Sequence, residues 1–253
     1  VLSPVFERTW GARAGRRPAA EYWGEAISAI KEMHPGFRFM AEAYWDLEWE
    51  LQQQGFDYCY DKRLYDRLER DSAESVRLHL CAEAAYQEKL VRFVENHDEP
   101  RAAAAFPGER LRAAAVAALT LPGARLVHEG QLEGRRARLP VFLGRRPPET
   151  QDEGLKEFYR RLLAVVGGDT LKTGEWRLCE CSGWPDNSSW RNLVAWCWSR
   201  EAEHCLIVVN LSDAPVQARV RLPRRGAAGA RIDLKDVFSD SVCEREGSEM
   251  VEP

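Results

Sequence analysis

Two stretches of this sequence set acidic side chains directly behind apolar runs. Phe37-Arg38-Phe39-Met40-Ala41 leads at once into Glu42-Ala43-Tyr44-Trp45-Asp46, and Leu90-Val91-Arg92-Phe93-Val94 leads into Glu95-Asn96-His97-Asp98-Glu99-Pro100-Arg101. Six of the seven residues in the second cluster are polar or charged. Placing so many polar groups beside a buried strand is costly unless they satisfy one another or bind something. Acids from two strands, opening toward one mouth, suit glycoside hydrolysis. There one carboxyl protonates the leaving oxygen while other carboxylates manage an oxocarbenium-like transition state. Tyr44 and Trp45 offer a flat apolar face to a sugar ring, and they are expected to desolvate Glu42 so that it holds a proton near neutrality. A lone acid after a strand is more often a helix N-cap, and Asp46, ahead of Leu47-Glu48-Trp49, is expected to be one.

The elements that must carry these residues follow from periodicity. Tyr22, Trp23, Ala26, Ile27, Ile30 and Met33 recur at helical spacing, and His34-Pro35-Gly36 ends that helix. Strands are expected at Phe37–Ala41, Phe56–Tyr60, Leu90–Val94 and Ala124–Val127. Helices are expected at about 45–54, 62–69, 73–89, 109–118 and 155–166. Strand–helix alternation of this kind argues a parallel sheet with crossover helices. Four such units make about half of an eightfold barrel, whose active site lies at the carboxyl ends of its strands. After Gly167-Gly168 the pattern turns to strands: Arg191–Ser199, His204–Leu211 and the alternating Val216–Leu222. The expected architecture is an incomplete (β/α)8 barrel, strands 5 to 8, over residues 1–168, followed by a small antiparallel β-sandwich domain over 169–253.

Composition excludes several functions. Forty acidic residues against 36 basic ones give a net charge of −4, so no nucleic-acid partner is expected. No apolar run reaches the roughly 18 residues that would span a bilayer, so no membrane partner is expected either. The seven cysteines are odd in number and irregular in spacing, which points to a reducing compartment, the cytoplasm. Cys179, Cys181, Cys197, His204 and Cys205 match no common zinc spacing, and the thiols are expected inside strands. No metal and no cofactor is expected. The opening Val1-Leu2-Ser3-Pro4 has neither a starting Met nor a signal peptide, as expected of a piece of a longer chain.

Phe93–Arg101 resembles the seventh-strand motif of the α-amylase superfamily, whose core is Asn-His-Asp. Phe39–Trp45 resembles its fifth-strand motif, in which a glutamate ends the strand, and Leu121–Gln131 resembles its eighth-strand segment. The three occur in the family's order. The resemblance implies that Glu42 is the general acid/base of a retaining mechanism. It implies that Asp98 is the third carboxylate, which binds ring hydroxyls, and that His97 binds the same sugar. Arg101 is expected to be a charge partner of this cluster by its position and, with Tyr44 and Trp45, to bind the substrate. The implied substrate is an α-linked oligosaccharide, polysaccharide or small α-glucoside. The family's nucleophilic aspartate, which ends the fourth strand two residues after an arginine, and the earlier Asn-His motif that ends the third have no counterpart ahead of Glu42. The chain alone is therefore expected not to turn over substrate. A silent amylase-like scaffold is the alternative, and the three residues Glu42, His97 and Asp98 together speak against it. A third reading makes the β region a carbohydrate-binding module through Trp184 and Trp190, with Trp196 and Trp198 expected in the core.

Overall fold

The computed structural model describes residues 21–140, 142, 144–222 and 231–246. The opening Val1–Pro4 and the chain end at 247–253 lie outside the described residues. By contact the described chain falls into two units. The first comprises 21–63, 83–92 and 122–124, and the second 64–82, 93–121 and 125–246. This division differs from the expected one at 168/169.

The first unit is built on a sheet of short strands. Helix α1 (Tyr22–Met33) precedes β1 (Met40–Ala41), then come α2 (Glu48–Gln53) and β2 (Tyr58–Tyr60). The unit resumes with α5 (Ala84–Gln87) and β3 (Leu90–Arg92), after α3 (Lys62–Arg70) and α4 (Ala73–Leu80) have passed through the second unit. Strands β1, β2 and β3 pair in parallel, Met40 with Tyr58, Cys59 with Leu90 and Tyr60 with Val91. The sheet order is β1-β2-β3-β4, with β4 at Ala124–Arg125. The crossover reading of the sequence therefore holds, although each strand is shorter than its apolar run. Of the run 37–41 only Met40 and Ala41 pair as a strand, and Phe37 and Met40 are half exposed. Ile27 of α1 packs with Ala41, Ala43, Leu51, Phe56 and Cys59, flanked by Trp23, Phe39 and Leu47.

Three interior groups tie these strands together. Arg92, fully buried on β3, ion-pairs with Asp61 behind β2 and donates to the Gln87 side-chain carbonyl and to Pro122 O. A buried guanidinium is tolerated only when paired and hydrogen-bonded, and here both conditions are met. Gly123 then takes a positive φ of 103° just ahead of β4, pressed against the backbone of Leu90 and Gln87.

The second unit packs helices on strands. Helices α6 (Ala102–Ala105), α7 (Glu109–Thr120), α8 (Glu153–Val166) and α9 (Asp169–Thr173) precede β5 (Glu175–Cys179) and β6 (Cys181–Ser182). A 3-10 turn at Ser189–Asn192 leads into β7 (Leu193–Arg200) and β8 (Glu203–Asn210); β9 (Arg219–Val220), β10 (Arg231–Lys235) and β11 (Val242–Glu246) follow. Beyond Thr173 the described regular elements are thus strands and one 3-10 turn, as the change in periodicity implies. They form an antiparallel sheet β5-β7-β8 and two-stranded pairs β6-β9 and β10-β11. The long alternation Val216–Leu222 contributes only β9.

Side chains from this sheet explain why the unit crosses residue 168. The Trp198 indole donates to Thr120 O at 2.6 Å, at the end of α7. Arg77 on α4 donates to the carbonyls of Arg191 and Leu193, and Arg110 on α7 to those of Leu68, Asp71 and Leu211. Trp196 and Trp198 are buried, as expected. Cys179 and Cys197 form an apolar cluster with Ala195, edged by Cys181, Leu206 and Val220. Burial pushes the Cys179 thiol up to about 12 and Cys205 up to about 11, which disfavours the thiolate that a metal would need. Among the described residues no helix is long and apolar enough to cross a membrane.

Replacing Gly123 by alanine forces a side chain onto a left-handed residue already in contact with two carbonyl oxygens. Gly123→Ala is expected to lower unfolding free energy by about 2 to 3 kcal/mol, read from the urea midpoint.

Candidate active site

Glu42 stands immediately beyond β1, between the buried Ala41 and Ala43. Its own side chain is exposed, and the Tyr44 hydroxyl donates to its Oε1 at 2.9 Å. The expected desolvation by aromatic neighbours is therefore not found. Trp45 turns outward, 70% exposed, because Trp45 and Asp46 both adopt left-handed backbone, with φ of 61° and 62°. That conformation also overturns the reading of Asp46 as an N-cap. Leu47 occupies the cap of α2 without a side-chain hydrogen bond, and both Asp46 oxygens accept from the Arg63 guanidinium instead.

Beyond β3 the polar cluster divides by burial. Glu95, Asn96 and Arg101 are inside, whereas His97 and Asp98 are exposed, with His97 Nε2 3.7 Å from Asp98 Oδ2. Asn96 folds the segment over itself: its Oδ1 accepts from the backbone N–H of Asp98 at 2.9 Å and of Glu99 at 2.8 Å. This Asx turn presents His97 and Asp98 outward on a short loop. Glu95 closes the loop from below. Its Oε2 accepts from Ala102 N at 2.5 Å and its Oε1 from Arg101 Nη2 at 2.9 Å.

Arg101 turns inward. Its guanidinium meets Glu95, His128 Nδ1 at 3.1 Å and Glu129 O at 2.7 Å, and little of it reaches the surface where a sugar would lie. Gly130, with φ of 84°, makes room: a Cβ there would come within 2.7 Å of Arg101 Nη2. His128 Nδ1 is also 3.3 Å from Glu95 Oε1. Gln131 extends the network, accepting from His128 N at 3.2 Å and donating to the Tyr159 hydroxyl of α8 at 3.0 Å.

The electrostatics of this interior are strongly perturbed. Burial drives the Glu95 carboxyl up to about 7, against the downward pull of the Ala102 N–H and Arg101; the Glu129 charge adds to the rise. His128 is held below its ordinary value, first by burial and then by the Arg101 charge. Glu95 and His128 both lie in the motif segments, yet residue type alone assigned them no role. The available signal was position alone, since Glu95 abuts a wholly apolar pair, Phe93-Val94.

In the β region Trp190 is half-buried, with Arg77 and Arg191 guanidinium groups 6.0 Å and 5.7 Å from its ring centre. Trp184 is more open, with Arg219 at 4.9 Å.

No protein-family model matches the sequence, and no curated protein matches it. Solved structures do. The fold is that of α-amylase-type enzymes. A noncanonic maltogenic α-amylase from Thermotoga neapolitana superposes with a TM-score of 0.73 at 19% identity, over 96% of this chain and 60% of that one. An α-amylase from Lactobacillus plantarum gives 0.60 at 17% identity, covering 88% of this chain and 55% of its own. A cyclic α-maltosyl-(1→6)-maltose hydrolase from Arthrobacter globiformis gives 0.58 at 15% identity, over 88% and 50%. The chain thus spans about half to three-fifths of the length of these neighbours.

The Glu95 carboxyl makes stability depend on pH. Its folded value, about 7, lies above the ordinary 4.5, so its contribution is greatest below pH 4.5 and is lost as pH rises through 7. Urea unfolding between pH 4.5 and 8 is expected to show a decline on the order of 3 kcal/mol from this group, and Glu95→Gln to remove that decline.

Proposed function

We propose that this chain contributes the acid/base side of a retaining, α-amylase-like glycosidase acting on α-glucosidic bonds of α-glucans or small α-glucosides. The carrying observation is a conjunction within one chain. Its fold superposes on a maltogenic α-amylase over 96% of its length, and its Asn96-His97-Asp98 motif follows a parallel strand. Residues 1–168 are assigned to the C-terminal half of the catalytic barrel and 169–253 to the small β domain behind it. The protein is assigned to the cytoplasm, with α-linked oligosaccharides or polysaccharides as its partners.

Glu42 protonates the departing glycosidic oxygen, then removes a proton from the incoming water or sugar hydroxyl. Its exposure leaves it accessible to substrate, and the Tyr44 hydroxyl orients one of its oxygens. The outward Trp45 ring gives a sugar an apolar face. Asp98 accepts hydrogen bonds from ring hydroxyls of the distorted sugar, and His97 donates to the same ring. We assign the nucleophilic carboxylate of the family pattern to no residue of this chain. Turnover is therefore assigned to a longer polypeptide, and the 253-residue chain by itself is expected to be silent.

Release of glucose and malto-oligosaccharides by the native full-length protein tests this reading. Glu42→Gln is expected to lower kcat by about 10²- to 10⁴-fold. Activity untouched by that change rejects Glu42 as the acid. A folded wild-type protein inert on every α-glucoside turns the reading to a catalytically silent scaffold.

A further inference from the structure

Resting on that reading, we infer that Glu95 is the positioning residue of this site, holding His97 and Asp98 in place through the two ends of the loop that carries them. The loop is short and its anchors are few. Glu95 opens it and, through Oε2, takes the N–H of Ala102 at the head of α6, so that one carboxylate joins both ends. Through Oε1 it takes Arg101 Nη2, and Arg101 in turn reaches Glu129 O beyond β4. The tip is folded by Asn96 Oδ1, which holds the N–H groups of Asp98 and Glu99. Asn96 adjoins Glu95 and is itself 2% exposed, so a shift of Glu95 is passed directly to the turn that aims Asp98.

A carboxylate in such a place is costly to the fold, and an apolar side chain would pack there more cheaply. What the carboxylate supplies is geometry. Three donors surround it when ionised: Ala102 N, Arg101 Nη2 and His128 Nδ1. Once protonated it no longer offers Arg101 its carboxylate charge, which leaves Arg101 Nη1 its 3.1 Å contact with His128 Nδ1. The charged and titratable groups facing this carboxyl within the unit are Arg101, His128, Glu129 and Tyr159, with His97 acting on His128. With its carboxyl poised at about 7, Glu95 passes between these arrangements near neutrality. The ionised one, with the loop fixed, is the competent one.

The native full-length protein and its Glu95→Gln variant are compared by two readouts. Glutamine keeps an acceptor for Ala102 N but neither titrates nor pairs with Arg101. The wild-type kcat on a malto-oligosaccharide is expected to fall on the acid side of pH 7. In the variant kcat is expected about tenfold lower at pH 8, with KM within twofold and that limb gone. Amide hydrogen exchange at Asp98 and Glu99 is expected to be at least tenfold faster in the variant. A profile that superimposes on the wild type overturns the proposal. Unchanged exchange at Asp98 and Glu99 overturns it whether or not the enzyme turns over. A wild type inert on α-glucosides, with exchange accelerated in the variant, rejects the glycosidase reading and leaves the positioning role of Glu95 standing.

Discussion

A carboxylate with no water around it must find its donors in the protein, and Glu95 finds three within one small region. Much of the second unit's interior is arranged by that demand. Arg101 is drawn inward to answer the charge, Gly130 is required because no side chain fits beside the guanidinium, and His128 is held below its ordinary value by burial and then by the same cation. Gln131 extends the network, accepting from His128 N and donating to the Tyr159 hydroxyl of α8. Polar interiors of this kind are stable only when their members are satisfied together, so their residues are not independently replaceable.

The exposed and buried polar residues behind β3 divide the work. His97 and Asp98 face solvent, where a ligand can reach them, while Asn96, Glu95 and Arg101 make the mould in which they are cast. The region behind β1 is built differently. Glu42 is aimed by one phenol and followed by two left-handed residues, and the clamp from Arg63 to Asp46 lies at the surface. One segment is held by interior electrostatics and the other by backbone conformation.

Much of the fold was legible in the order and period of apolar residues. The stripe from Tyr22 to Met33 became α1, and the stripe from Leu155 to Leu162 became the buried face of α8. Parallel pairing of β1, β2 and β3 followed from helices lying between apolar runs. Strand lengths were not legible, because an apolar run such as Phe37–Ala41 does not tell how many of its residues find a partner. Asp46 failed as a cap for a related reason: a left-handed φ has no signature in an aspartate that glycine or asparagine would have given more plainly. At the candidate site, residue types singled out Glu42, His97 and Asp98 as candidates for chemistry. They could not say that Arg101 turns inward or that Glu95 is the residue it answers, since the sequence shows a polar cluster but not which members face the core.

The left-handed pair Trp45-Asp46 has an evolutionary consequence. Each non-glycine residue in that region costs on the order of 1 kcal/mol or more, so glycine at either position is the locally favoured letter. Drift toward glycine at 46 deletes the carboxylate that Arg63 holds, and drift at 45 deletes the outward ring. Selection for thermal robustness and selection for the segment behind Glu42 therefore pull these two letters in opposite directions. A lineage that keeps Trp-Asp here records which of the two pressures prevailed.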